Sequence, residues 1–241
     1  MESNAVLWRP TGRVERDLVA RSGWRAWPPR LPDQPIFYPV TNRWYATKIA
    51  REWNVPAEGV GHVLRFEVDA AFLERYPVQR VGGRDVLEHW VPAEELDGFN
   101  ERIDGPIVEI AEFRGPVAAA EFARAGAGLG RELPPAWRDY LGGASWLRRG
   151  WTGDEHHLSL STPEETLAAT RAWDRAGAHP GAAIIGGDGA GEHLVLDLRE
   201  DEPPVLLVGV ASAGWETAVP RAASVEELVD LVEAGEFEFY W

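Results

Sequence analysis

Residues 182–199, AAIIGGDGAGEHLVLDLR, join two apolar runs through a glycine-rich acidic turn. Residues 182–185 form a continuous apolar run, and residues 193–198 alternate, with Leu194, Leu196 and Leu198 on one face, so both read as strands. Gly186, Gly187, Gly189 and Gly191 tolerate positive φ and would let the chain reverse tightly. The spacing predicts a β-hairpin, extended to a meander by residues 204–210 beyond the polar turn 200–203. A phosphate-binding loop is excluded on charge, because the turn carries Asp188 and Glu192 and neither Lys nor Arg. A calcium loop of the GGxGxD kind works as stacked repeats, and here there is a single copy.

Some fifty residues earlier stands Leu133-Pro134-Pro135-Ala136-Trp137-Arg138-Asp139-Tyr140-Leu141. Taken with the glycine-rich turn, this resembles the SMI1/KNR4 or SUKH superfamily, in which a helix opened by an LPxxY/W-type motif precedes a central antiparallel sheet. That family carries a G-x-D-G-G-G-E turn and a strand ending in Asp. Here Ala190 replaces one glycine, and Asp197 sits where the strand acid would be. The resemblance spans roughly residues 117–241. It implies protein binding, with Asp188, Glu192 and Asp197 as the acidic contacts, and an association with immunity to bacterial toxins.

The 241 residues suffice for one large or two small domains. The chain has no cysteine, which rules out a disulfide scaffold and a Cys-ligated zinc site. No apolar run approaches the roughly 18 residues of a membrane span, and MESNAVLWRP lacks a basic and an apolar leader region. The expectation is a soluble, cytoplasmic protein that does not engage membranes. Of the net charge of −15, residues 116–241 carry about −12, with nine Lys and Arg against 21 Asp and Glu. Such a surface repels nucleic acid and attracts a basic protein partner, which the resemblance makes a polymorphic toxin domain; the alternative is an acidic face that only confers solubility.

Along the first half, residues 6–10 read as a strand and 14–22 as a helix. Residues 24–35, WRAWPPRLPDQP, read as an irregular loop whose aromatics pack on the sheet or line a cleft. Residues 35–40 read as a strand broken by Pro39, and Thr41 or Asn42 caps a helix over 43–53 that places Tyr45, Ile49 and Trp53 on one face and ends at 54–56. Strands follow at 61–68, 78–81, 86–91 and 106–113, with a turn or short helix at 72–76 and a helix over 92–100. A domain boundary is expected at Gly115-Pro116, giving domains 1–115 and 117–241. In the second half, helices are expected at 117–125, 134–141, 163–176 and 225–234, with 126–130 and 142–153 as turns and 157–160 as a strand. Ser161 or Thr162 caps the third helix, and Ser224 with Glu227 forms a capping box on the last.

In the first half, Leu7-Trp8-Arg9, Phe37-Tyr38-Pro39-Val40-Thr41-Asn42-Arg43-Trp44-Tyr45 and Glu88-His89-Trp90-Val91-Pro92 occur in that order. They resemble the three motifs of the ADP-ribosyltransferase fold, and the same half resembles small bacterial proteins labelled ADP-ribosylation/crystallin J1. The fold class implied is α+β, an ADP-ribosyltransferase-like mixed β domain followed by a SUKH-type antiparallel sheet with flanking helices. The resemblance implies NAD as ligand. Glu88 would be the catalytic carboxylate, Tyr38 or Tyr45 would stack on nicotinamide, Arg9 would hold ribose or pyrophosphate oxygens, and Thr41 belongs to the second motif. A carboxylate facing a developing oxocarbenium ion lowers the barrier to breaking the nicotinamide–ribose bond. Val86 stands where arginine-directed members carry Glu or Gln, which speaks against arginine as acceptor. Taken singly, each residue also has an ordinary reading: Arg9 as a surface ion pair, Tyr45 as helix core, Glu88 as an outward strand residue. Glu155, His156 and His157 do not suggest a metal, because adjacent strand residues point to opposite faces.

Two functions from different classes follow: a SUKH-type immunity or protein-binding protein fused to an ADP-ribosyltransferase-like domain, and an active NAD-dependent ADP-ribosyltransferase targeted by its SUKH domain.

Overall fold

The computed structural model describes residues 4–152, 156–174 and 176–239. The chain divides into two compact units of mixed α and β structure, Met1–Arg114 and Gly115–Trp241. Among the described residues no helix is long and apolar enough to cross a membrane. Gly153 and Glu155 lie outside the described residues.

The first unit is built on three antiparallel strands, β1 (Asn4–Thr11), β3 (Val60–Asp69) and β7 (Ile103–Arg114), with β3 in the middle. Between them in sequence come α1 (Arg13–Arg21), β2 (Ile36–Phe37) and a long helical run. Later come α4 (Ala70–Leu73), the hairpin β4 (Val78–Arg80) with β5 (Leu87–His89), β6 (Val91–Pro92) paired to β2, and α5 (Leu96–Asn100). The core is aromatic: Trp27 lies 5.1 Å from Phe37 and 5.0 Å from Phe66, and Phe99 lies 5.7 Å from Phe37. Of the aromatics in the proline-rich loop, Trp27 is therefore core, and it anchors a segment with little backbone pairing of its own.

The helical run departs from the sequence reading. It comprises α2 (Arg43–Ile49), a π-helical segment Ala50–Asn54 and α3 (Val55–Glu58), and it ends at Gly59 instead of at residues 54–56. The i→i+5 pattern closes just before Pro56. Pro56 is thus the second residue of α3, directly after the π-helical segment, whose change of hydrogen-bond register lets a continuous helical run pass through a proline. The strand expected over 35–40 shrinks to β2 plus an isolated bridge at Val40, because Pro39 cannot donate to a ladder.

The second unit opens with α6 (Ala119–Leu129) and α7 (Pro135–Gly142). Six antiparallel strands follow: β8 (Trp146–Thr152), β9 (His156–Leu160), β10 (Ala182–Gly187), β11 (Glu192–Asp197), β12 (Val205–Gly209) and β13 (Val219–Ala222). Each pairs with the next in sequence order, which makes a meander. Helices α8 (Pro163–Trp173) and α9 (Val225–Ala234) complete the unit. Trp137 and Leu141 are buried four residues apart on one face of α7, and Leu133, just ahead of the helix, is buried as well.

Five expectations need correction here. Residues 126–130 do not separate two helices, since α6 runs through Gly126 and Gly128; an added Cβ at Gly128 would sit 2.6 Å from Leu167 of α8, so the glycine allows close helix packing. Residues 142–153 are not all turn, because β8 occupies them with Trp146, Leu147 and Thr152 buried. Strand β11 buries Val195 as fully as Leu194 and Leu196, so it is covered on both faces. The glycines of the hairpin turn divide the work: Gly189 alone among the four has positive φ, at 77°, whereas Cβ atoms on Gly186 and Gly187 would collide with the backbone oxygens of Ser159 and Glu192. On α9, Ser224 accepts from the Glu227 N–H at 3.2 Å, but the Glu227 carboxylate takes the Ala223 N–H instead of closing a capping box. Thr162 caps α8 with a full capping box through Glu165.

Candidate functional site

Pro39 and Val40 insert an extended rung between β1 and β5. Val40 exchanges two backbone hydrogen bonds with Trp8, at 2.8 and 3.0 Å, while Thr41 N–H donates to Leu87 O at 3.1 Å and His89 N–H to Pro39 O at 2.9 Å. Three segments far apart in sequence are thereby held side by side. Asn42 then starts α2, accepting the Tyr45 N–H at 2.8 Å and donating its own amide to Asp85 O at 2.9 Å. Of the two candidate caps, Asn42 is the one used.

The result is a cleft of 540 Å³ in the first unit, lined by Arg9, Tyr38, Tyr45, Trp53, Glu58 and Glu88 among others. Four of the five residues expected to form a ligand site line it: Arg9, Tyr38, Tyr45 and Glu88. Thr41 does not; it is half-buried and serves the junction between the rung and α2. The stripe Tyr45, Ile49, Trp53 faces the cleft, and Trp53 is 62% exposed at its mouth.

Glu88 is 9% exposed, and its Oε1 accepts the Trp90 Nε1–H at 2.7 Å, so the carboxylate is held in one orientation. Burial, and next the negative charge of Glu88, push the Tyr45 phenol above its usual range. Tyr38 packs edge-on to Trp90 at 6.0 Å. Arg9 is engaged as well: its Nε and a terminal nitrogen each reach Glu15 at 3.2 Å, its other terminal nitrogen donates to Tyr38 O at 3.1 Å, and it lies 5.2 Å over the Phe37 ring.

Three polar residues of this region were not anticipated from sequence: Glu15, Arg30 and Glu58. Glu15 lies six residues beyond Arg9, a spacing that no strand or helix period singles out. Glu58 lies beyond the proline that was expected to end the helix. It accepts the Arg13 N–H at 2.9 Å, and Gly12 leaves the room its carboxylate occupies.

The acidic residues of the second unit have structural employment. Asp188 Oδ1 accepts three consecutive amides, those of Ala190, Gly191 and Glu192, at 2.8, 2.9 and 3.0 Å; these bonds hold its pKa below the ordinary value although burial opposes them. Asp197 pairs with Arg199 at 2.6 Å, and that contact, ahead of the opposing burial, depresses its pKa. Glu192 is half-buried; burial and then Asp188 raise its pKa. Glu192 and Asp197 stand at opposite ends of β11, about 17 Å apart at the usual rise per residue, so the three acids form no single patch. A hollow of 620 Å³ in this unit, lined by Val117, Phe122, Ala123, Leu133 and Arg138 among others, includes none of them.

His62, Glu109 and Glu112 bring ligand atoms within 4.8 Å of one another. Glu109 is already bonded to His62 Nδ1 at 2.7 Å and to Arg16 at 2.8 Å, and Glu112 to Arg114, so arginines neutralise both carboxylates. This is the arrangement of an ion-pair cluster. No protein-family model matches the chain, and no curated protein matches it.

Proposed function

We propose that the first unit is an ADP-ribosyltransferase-like domain whose cleft takes NAD, and that the second is a SUKH-type domain that binds a basic protein, a toxin domain being the class the resemblance implies. What carries this reading is the convergence of Arg9, Tyr38, Tyr45 and Glu88, from separate stretches of chain, on one 540 Å³ cleft. That volume is of the size that small-molecule ligands fill. Tyr38, Tyr45 and Trp53 offer aromatic faces to a ring, and Arg9 offers a cation to phosphate or ribose oxygens. Breaking a nicotinamide–ribose bond develops positive charge on the sugar. A carboxylate fixed by Trp90 stabilises that charge without reorganising, which is Glu88's role.

The test is nicotinamide release together with calorimetric NAD binding. Glu88→Gln preserves shape and removes charge; it is expected to lower the release rate by roughly 100-fold and to leave NAD affinity within a few-fold. A wild-type protein that neither binds NAD at millimolar concentration nor releases nicotinamide refutes the enzymatic part.

One observation favours the binding function standing without catalysis: Arg9, which lines the cleft, is already paired with Glu15. In that case the charge of about −12 in the second half is the functional feature. It predicts capture of a basic protein that weakens steeply between low and high salt, with no retention of nucleic acid.

A further inference from the structure

Arg9 and Arg30 are both poorly exposed, with side chains 12% and 7% accessible, and they share one carboxylate. Glu15 contacts Arg9 at 3.2 Å and Arg30 at 3.1 Å, and among the described residues no other carboxylate pairs with either arginine. Arg30 spends one further nitrogen on Gln34 at 2.7 Å, and its Nε is buried with no hydrogen-bond partner. Two guanidinium groups against one carboxylate leave an excess positive charge in a poorly hydrated place, which folding alone does not favour. Consistent with this, burial lowers the Arg30 pKa; Glu15 opposes that and Arg9 adds to it. Arg9 and Glu15 also line the cleft. A group that displaced Glu15 would face two cations, and a dianion would match them. Guanidinium forks suit phosphate oxygens in particular.

We propose that Arg9 and Arg30 form a subsite for a diphosphate-type anion, and that Glu15 holds it as an internal stand-in carboxylate which the ligand displaces. Arg30, carried on the proline-rich loop, lies behind Glu15 and not in the cleft wall itself, so it is a specificity residue that a ligand reaches only in Glu15's place, and Glu15 sets a threshold that a singly charged anion does not overcome. The inference rests on the cleft being a ligand site, and it deepens that reading by naming the groups that recognise the phosphate portion.

The experiment is calorimetric titration of inorganic pyrophosphate into the full chain. Wild type should bind weakly, and Glu15→Gln, which removes the competing charge, should bind at least tenfold more tightly. Glu15→Asp keeps the charge but withdraws it by one methylene and should fall between. Arg30→Gln should weaken binding tenfold or more, in wild type and in the Glu15→Asp background, which keeps the test open if the neutral variant folds poorly. Equal affinity of wild type and both Glu15 variants, or an affinity untouched by Arg30→Gln, overturns the proposal. Nicotinamide release is measured alongside. Turnover with unchanged pyrophosphate affinities removes the subsite and leaves the proposed reaction standing, whereas the expected affinities without turnover do the reverse.

Discussion

The carboxylates of the two units are used in opposite ways. In the second unit, Asp188 spends one oxygen on three backbone amides and Asp197 is clamped by Arg199, so the side chains that stood out in the sequence hold the turns on which they sit. In the first unit, Glu88 is fixed by a single bond from Trp90 and otherwise lines a cleft, and Glu15 is shared by two arginines beside the same space. A glycine-flanked acid in a tight turn is explained by the backbone it satisfies. A carboxylate held at the wall of a cavity by a group outside the backbone ladder has capacity left over for a ligand.

The largest expected effect tests the structural half of that contrast. Asp188→Ala removes one acceptor for three amides and should cost about 3 kcal/mol of stability, read as a lower denaturation midpoint in urea. A loss below about 0.5 kcal/mol would return Asp188 to the pool of free surface acids. Acid titration probes the first unit next. Burial alone would raise the Glu109 pKa, but hydrogen bonds from His62 and Arg16 hold it down at about 2. A folded-state pKa below the unfolded value means stabilisation that is present above about pH 4.5 and is lost as pH falls towards 2. Discounted for partial exposure, this contribution is about 2 kcal/mol. Arg16→Met should flatten that part of the stability-against-pH curve, and an unchanged curve would refute the assignment.

The smallest effect is the most specific to the cleft. Glu88→Gln should change stability by less than about 1 kcal/mol, since Gln can still accept from Trp90. It should also bring the Tyr45 phenol down towards its ordinary range, because one of the two causes of its upward shift is removed. Difference absorbance of phenolate against pH, compared with a Tyr45→Phe control, measures this. A Tyr45 titration indifferent to Glu88 would show that the two groups do not sense each other across the cleft.

Much of the chain could be read from local pattern, because local pattern is where its information is short-ranged. The meander 182–210, the cap at Thr162 with Glu165, and the helix over 134–141 depend on turn chemistry and local composition. The order of the motifs around Arg9, Tyr38, Tyr45 and Glu88 was also visible. Strand β8 and the continuation of α6 were hidden, since glycines and arginines at those positions mask a backbone held by its neighbours.

Tertiary structure alone decided three things. Gly186 and Gly187 are required by atoms of other strands rather than by their own φ, which no local pattern encodes. Pro56 continues a helix because a π-helical segment positions it, and that continuation delivers Glu58 to the cleft. Arg9, Glu15 and Arg30 meet because an aromatic anchor, Trp27, pins the proline-rich loop to the sheet. Residue types and local spacing determined which elements form. Contacts between residues distant in sequence, whose energies depend on burial and on who shares a charge with whom, decided which side chains remain available for a ligand.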